Sequence, residues 1–423
     1  MIDLALASLL AFALALVIST LLRLNVGVVS MVVAWLVGMY LADLSVKDIL
    51  AVFPVNLFVM LFGITLLFNQ AALNGTLDRI VQVAVRLTQS HRALLPVVFF
   101  FMTASLSTLG PGNIASVALI APIAMAIAGK CGISAFLMTI MVANGANAGA
   151  FSPFAPTGII AGNLAQNIGV EMNPWTQIYL PSLLAQSTIA FSSYLLFGGI
   201  GLWQADHNGY QIDVKALIGE HKPLTRAQWA TLGCIALLII GVAGFKLEAG
   251  FLALGLAVVV NVVSATDPEG AIRIVPWNEI MMVCGVSMLV GIIAQAGGLE
   301  RFTELLALVA TPDNATGLIA FLTGVFSSYS SSSGVVMPAF IPLVPSLISE
   351  MGGGDAVALV SSINVGSHVV DVSPLSTLGA LCIANAPAHE DKEKLFRYLL
   401  INGLSMSIFG ALVSYVFFGV LLA

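Results

Sequence analysis

The chain has 423 residues, of which 59% are hydrophobic and only 9% charged, with a mean hydropathy of +1.02. A water-soluble core of this size cannot hide so much apolar surface, so a single soluble fold is excluded. The formal charge of −6 offers no basic face to nucleic acid, and the four cysteines, Cys131, Cys234, Cys284 and Cys382, lack metal-ligand spacing and read as small buried side chains.

In chain order, Met1-Ile2-Asp3 carries no basic stretch before the first apolar run, so that run is predicted to stay as a span rather than to be cleaved. Spans follow at 3–21, 26–41 and 53–69, then an amphipathic stretch at 74–91 suited to the membrane interface. Residues 93–128 are apolar but interrupted by Gly110-Pro111-Gly112-Asn113. Each arm has about fourteen residues, or ~21 Å of helix, too little to cross ~30 Å of hydrocarbon, so a re-entrant hairpin is expected. Spans at 133–165 and 178–203 lead into a polar connector, 204–228, that is expected on the cytoplasmic side. Spans at 229–245, 249–264 and 278–296 come next, followed by a second amphipathic stretch, 300–309. A second hairpin at 315–348 is interrupted by the serine tract 327–334, and spans at 355–386 and 396–421 complete ten.

With the N-terminus outside, all of the fifteen Lys and Arg residues except Lys47, Lys246 and Arg301 fall in cytoplasmic loops, as the positive-inside rule demands. The same map gives five spans and one hairpin in 1–203 and again in 229–423. Ala121-Pro122-Ile123 is echoed by Ile341-Pro342-Leu343, and Ser152-Pro153 with Gly158 by Ser373-Pro374 with Gly379. An odd number of spans per unit inverts the second copy. The expected fold is therefore an all-α polytopic membrane protein of two inverted repeats, the arrangement of a secondary transporter with its site at the repeat interface.

Broken helix inside lipid persists only where protein or a water-filled cavity satisfies the backbone. The span 133–165 contains Asn144-Gly145-Ala146-Asn147-Ala148-Gly149 and then Ser152-Pro153; 355–386 contains Asn364-Val365-Gly366-Ser367-His368 and then Ser373-Pro374. Each reads as two half-helices around an unwound centre, or more blandly as a kinked helix packed through small residues. Two unwound spans and two hairpin tips would gather helix N-termini, which suit a carboxylate, with carbonyl, Asn and Ser oxygens, which suit a hard monovalent cation. Neither hairpin and neither broken span contains Lys or Arg, so an anion would be held by dipoles, amides and hydroxyls.

Gly112, Asn113, Ser331, Ser332 and Ser333 at the tips, with Ser152, Pro153, Thr157, Ser373, Pro374, Ser376 and Thr377 at the breaks, are the substrate candidates; the tip residues can equally cap the adjoining helices. Asn113, Asn144, Asn147, Ser332, Ser333 and Asn364 are the cation candidates. His368 and Asp371, three residues apart inside a span, are a candidate for proton coupling or a structural pair, and Asp371 stands as the single intramembrane carboxylate. A cation/proton antiporter is the rival reading. A membrane enzyme is opposed by the lack of a His-Glu-x-x-His or Gly-x-Ser-x-Gly motif.

With these features the chain resembles the ion transporter superfamily, and within it the malonate/dicarboxylate carriers of the MatC type and the divalent anion:sodium symporters. In the symporters each tip carries Ser-Asn-Thr before a Leu-Pro pair; here Gly112-Asn113-Ile114 precedes Pro122 and Ser332-Ser333-Gly334 precedes Pro342, so only Asn113 and Ser332 match by type. The resemblance implies a homodimer in a bacterial inner membrane, a scaffold and a moving transport domain working as an elevator, and a small dicarboxylate such as malonate, malate or succinate held between the tips. It also implies a sodium ion as coupling ion and no other cofactor. The missing tip residues leave protons, through His368 and Asp371, as the alternative.

Overall fold

The computed structural model describes residues 4–80, 92–206, 223–264 and 267–421, and these form helices and turns with no strand among them. Four helices, α1 (Leu4–Leu22), α2 (Val26–Tyr40), α3 (Val46–Ala51) and α4 (Val55–Leu73), open the chain. Then come α5 (Leu94–Leu109), α6 (Gly112–Cys131), α7 (Ala135–Ala150), α8 (Pro156–Asn167) and the long α9 (Pro174–Gln204). From Arg226 the order recurs: α10 (Arg226–Phe245), α11 (Ala249–Ser264), α12 (Pro268–Arg273) and α13 (Trp277–Gln295). An interfacial α14 (Gly298–Ala307) precedes α15 (Ala315–Ser327), α16 (Ser332–Met351), α17 (Ala356–His368), α18 (Thr377–Ala384) and α19 (Lys392–Val420).

Polar residues fix where these helices begin. The Asn25 side chain accepts from the Gly27 and Val28 amides at 2.9 and 3.2 Å and starts α2, while Asp355 accepts from Val357 and Ala358 at 2.7 and 3.0 Å and starts α17. Ser45 with Asp48, and Thr225 with Gln228, close reciprocal capping boxes on α3 and α10. The long helices turn large apolar side chains outward, Leu10, Leu21 and Val262 among them at 61%, 76% and 76% exposure. Lipid matches such a surface and water does not. Among the described residues seven helices are long and apolar enough to cross a membrane, and the molecule is a multi-pass membrane protein.

Two crossings allow backbones to touch. A Cβ on Gly27 of α2 would lie 1.9 Å from the Met281 oxygen of α13, and a Cβ on Gly285 of α13 would lie 2.1 Å from the Gly27 oxygen. Likewise a Cβ on Gly63 of α4 would lie 2.3 Å from the Gly250 oxygen of α11. Only glycine permits these approaches, and α2–α13 and α4–α11 pack as close pairs because of it.

Three expectations change. The return arms of the hairpins are not fourteen residues long: α6 and α16 have 20 residues each and are long enough to cross by themselves. The first tip uses only Gly110 and Pro111, and Pro122 is accommodated inside α6. Secondly, the 144–149 stretch is not unwound. It is helix to Ala150, and its glycines serve packing, a Cβ on Gly145 falling 2.4 Å from the Phe100 oxygen of α5. The interruption is confined to 151–155, and in the other span to a tight turn at Val369–Val372 and the residues 373–376. Thirdly, the connector 204–228 is helical at both margins, to Asp206 and from Arg226; its residues 207–222 and residues 81–91 of the first amphipathic stretch lie outside the described residues.

Candidate functional site

Each tip is shaped locally. Gly110, at φ 138°, reverses the chain after α5 so that Asn113 lies in the first turn of α6, where its side-chain oxygen accepts from the Ile114 amide at 2.9 Å. At the other tip the Ser331 hydroxyl accepts from the Gly334 amide at 3.1 Å and starts α16, which sets Ser332 and Ser333 in its first turn. The breaks use serine in the same way. Ser152 Oγ accepts from Phe154 N and donates to the Thr108 carbonyl (3.3 and 2.7 Å), Ser373 Oγ accepts from Leu375 N (3.3 Å), and Ser376 caps α18 through Leu378 N (3.4 Å).

A chain of hydrogen bonds joins the two tips through both broken spans. The Asn113 amide donates to Asn147 Oδ1 at 2.9 Å, and the Asn147 amide donates to the His368 carbonyl at 2.8 Å and to Asp371 Oδ2 at 3.3 Å. Ser332 Oγ donates to Asp371 Oδ1 at 2.7 Å and also meets Ser327 Oγ. Most of this is buried: Asn147 and His368 are fully enclosed, Ser332 and Asp371 are each 7% exposed, and Asn113 is partly exposed. The Asp371 carboxylate is therefore held by one group from each half of the chain, which is how a charge is tolerated away from water.

His368 packs its ring edge-on to Phe151, centroids 4.8 Å apart, and its Nδ1 lies 3.0 Å from the Asn364 carbonyl and 2.9 Å from Ser367 Oγ. Its Nε2 has no hydrogen-bond partner. Two of the asparagines singled out from sequence are left with free oxygens, as are the enclosed Gln70 and Gln186 elsewhere among the described residues: Asn144 Oδ1, although Asn144 Nδ2 donates to the Ile140 carbonyl at 2.9 Å, and Asn364, where both Oδ1 and Nδ2 lack a partner. Unpaired buried oxygens are costly unless something else fills their need, and a hard monovalent cation would.

Beside this chain lies a cavity of about 800 Å³, bounded by α1, α2 and α13 on one side and by both tips and the second break on the other. Of the residues singled out from sequence, Asn113, Ser331, Ser332, Ser333, Ser376, Thr377, His368 and Asp371 line it. Gly112, Thr157 and again Asn113 and Ser333 line a second cavity of about 360 Å³ beneath the first tip. Asn144, Asn147, Asn364, Ser152, Pro153, Ser373 and Pro374 line neither; the two serines are spent on the turns described above.

The sequence reading missed Glu279. Asp371 is not the single carboxylate of this region, because Glu279, in the first turn of α13, borders both cavities. The signal was present, since residue 279 lies within the 278–296 span, but at its margin. Among the described residues no Lys or Arg borders either cavity.

A multi-pass membrane protein whose interrupted helices meet at an enclosed polar centre beside a sizeable cavity has the make-up of a transporter. Residues 2–150 match the family model described as dicarboxylate carrier protein MatC N-terminus. In structure the chain is similar to the YdaH transporter of Alcanivorax borkumensis, at a TM-score of 0.53 and 15% identity, covering 87% of each chain. No curated protein matches the sequence. The family match over residues 2–150 points to a transporter rather than an enzyme, and the structural likeness shows the fold.

Proposed function

We propose that the chain is a secondary active carrier of small dicarboxylates of the malonate, malate and succinate class, coupled to sodium and working as an elevator. The observation that carries this reading is the hydrogen-bonded chain Asn113–Asn147–Asp371–Ser332, which ties both tips to both broken spans at the wall of the large cavity. A substrate carboxylate would take the place beside Ser332, Ser333, Asn113 and Thr377, held by hydroxyls, an amide and the first turns of α6, α16 and α18. The free oxygens of Asn144 and Asn364 are our choice for the sodium ion, with Asp371 and His368 as the proton-coupled alternative.

The order α1–α9, repeated as α10–α19 apart from α14, supports a division into inverted repeats, 1–203 and 229–423, with the hairpins re-entrant. The glycine crossings support it too, because α2–α13 and α4–α11 are the same contact with the halves exchanged. With the N-terminus outside, the large cavity faces the cytoplasmic ends of α1 and α13, so the form described is inward-facing. We further propose a homodimer in a bacterial inner membrane.

The test is uptake of malonate, malate and succinate into proteoliposomes under an imposed sodium gradient or an imposed proton gradient. Uptake driven by sodium, and lost in Asn364→Ala, is the expected result. If no dicarboxylate is taken up or bound under either gradient, the proposal fails. The pair Asp371 and Glu279 favours one other reading, a cation/proton antiporter, and sodium-for-proton exchange with no organic acid present would establish it.

A further inference from the structure

We propose that Glu279 reads the charge of the solute and limits the carrier to anions of low charge number, an inference that rests on the dicarboxylate reading of the same cavity. The large and the small cavity share four lining residues, Asn113, Ile114, Ser333 and Glu279. The first three belong to the tips; Glu279 belongs to α13, on the opposite wall.

That wall is fixed. The residue before Glu279 is clamped, the Asn25 amide donating to the Asn278 side-chain oxygen at 2.6 Å and to its carbonyl at 3.0 Å. One turn on, α13 lies against the Gly27 backbone of α2, where not even a methyl group fits. The carboxylate is thus held at the junction of the two chambers, opposite Asn113, Ile114 and Ser333 of the tips.

The charged and titratable groups around it are few. Tyr329, His368 and Asp371 share the larger cavity, and among the described residues the smaller has no titratable lining residue except Glu279. Of these, Asp371 is engaged by Ser332 and Asn147. The short α12 before α13 carries Glu269 and Arg273, which pair with each other at 3.1 Å and are about three-quarters exposed, at 77% and 76%, and Arg23 lies two residues before the Asn25 that clamps Asn278, but lines neither cavity. Among the described residues no Lys or Arg lines the cavities to offset Glu279, so an anion entering them meets a repulsion that grows with its own charge.

The experiment compares wild type with Glu279→Gln and Glu279→Asp in proteoliposomes, using malonate and citrate as competitors of labelled malonate near pH 8, where both are fully ionised. Coulomb repulsion makes the logarithm of the gain proportional to solute charge, so a gain of about threefold for malonate in Glu279→Gln goes with about fivefold for citrate. Glu279→Asp keeps the wild-type order. In the wild-type chain, added salt narrows the gap between the two acids, a readout that needs no variant to fold. Equal gains for both acids, no gain for citrate, or a gap unmoved by salt would each overturn the proposal. A wild-type chain that ignores malonate altogether would instead bring down the dicarboxylate reading.

Discussion

The bond from Ser332 to Asp371 is the shortest hydrogen bond to the buried carboxylate, 2.7 Å against 3.3 Å from Asn147, and a double-mutant cycle measures what it contributes. A hydrogen bond to a charged group contributes about 1.5–3 kcal/mol in soluble proteins. Bonds between membrane helices average nearer ~0.6 kcal/mol, because the dissociated helices find other partners. Asp371 has few others to find, its neighbours being Val369, Val370 and Val372, all at 1% exposure or less. The expected coupling for Ser332→Ala with Asp371→Asn is therefore roughly 1–2 kcal/mol, and for Asn147→Ala with Asp371→Asn roughly 0.5 kcal/mol, as the longer bond warrants. The assay is reversible unfolding by dodecyl sulfate in mixed micelles, each single and double variant against wild type. Coupling at both pairs indistinguishable from additivity, within about 0.3–0.5 kcal/mol, would mean that Asp371 is not held as described.

Three further outcomes follow from other parts of the molecule. Gly145→Ala and Gly366→Ala place a methyl 2.4 Å from the Phe100 and Ala320 oxygens; each should cost about 1–3 kcal/mol in the same micelle titration, whereas Gly255→Ala, with nothing within 4 Å, should gain about 0.5–1 kcal/mol. Asn364→Ala removes a side chain with no partner, so it should leave stability without cation nearly unchanged. The same variant should abolish the rise in melting temperature produced by sodium, which for a bound ion at a hundred times its Kd is worth ~2.7 kcal/mol; a rise equal to that of wild type refutes the site. Asn25→Ala frees the start of α13 from α2, losing hydrogen bonds worth about 0.5–1.5 kcal/mol each. It should weaken the discrimination between malonate and citrate in the uptake assay, and discrimination unchanged from wild type would show that the clamp does not position Glu279.

Hydropathy and charge made most of the helices readable in advance because a lipid-exposed span must be apolar along its whole length, and the segments from 53–69 to 396–421 obey that rule. The tips were readable for the opposite reason: Gly110-Pro111 and 327–334 are sequences that no lipid-facing helix would carry. What sequence could not separate was the two uses of small residues. Asn144 to Gly149 and Ser152-Pro153 look alike as breaks, yet the first run is helix packed against α5 and only the second interrupts it. Distinguishing them requires knowing that a neighbouring backbone approaches Gly145 within 2.4 Å of where a Cβ would sit. Glu279 escaped for a related reason, since a carboxylate in the first turn of a span is ordinary until the folded chain turns it toward a cavity. The bond from Asn147 to Asp371 joins residues 224 apart, and no local pattern could reveal it.

The distribution of empty space bears on how the carrier could move. Three cavities, of about 800, 370 and 360 Å³, lie along one boundary, with α1, α2, α4 and α13 on one side and the two hairpins on the other, while another of about 430 Å³ sits apart at the start of α19. Away from that boundary the contacts are of another kind, α2 crossing α13 and α4 crossing α11 through glycines with backbone against backbone. Close-packed surfaces resist sliding because every displacement forfeits dispersion contacts and meets hard repulsion, whereas a boundary already lined with voids has little of either to lose. If the hairpins travel, they travel along that boundary, and the polar chain from Asn113 to Ser332 goes with them as one body, since all four of its members belong to the tips and the broken spans. A disulfide engineered between α2 and α13 should then leave malonate uptake intact, while one between α13 and the first turn of α16 should stop it until reduced. Uptake that survives the second cross-link would mean that the boundary with the voids is not where the carrier moves.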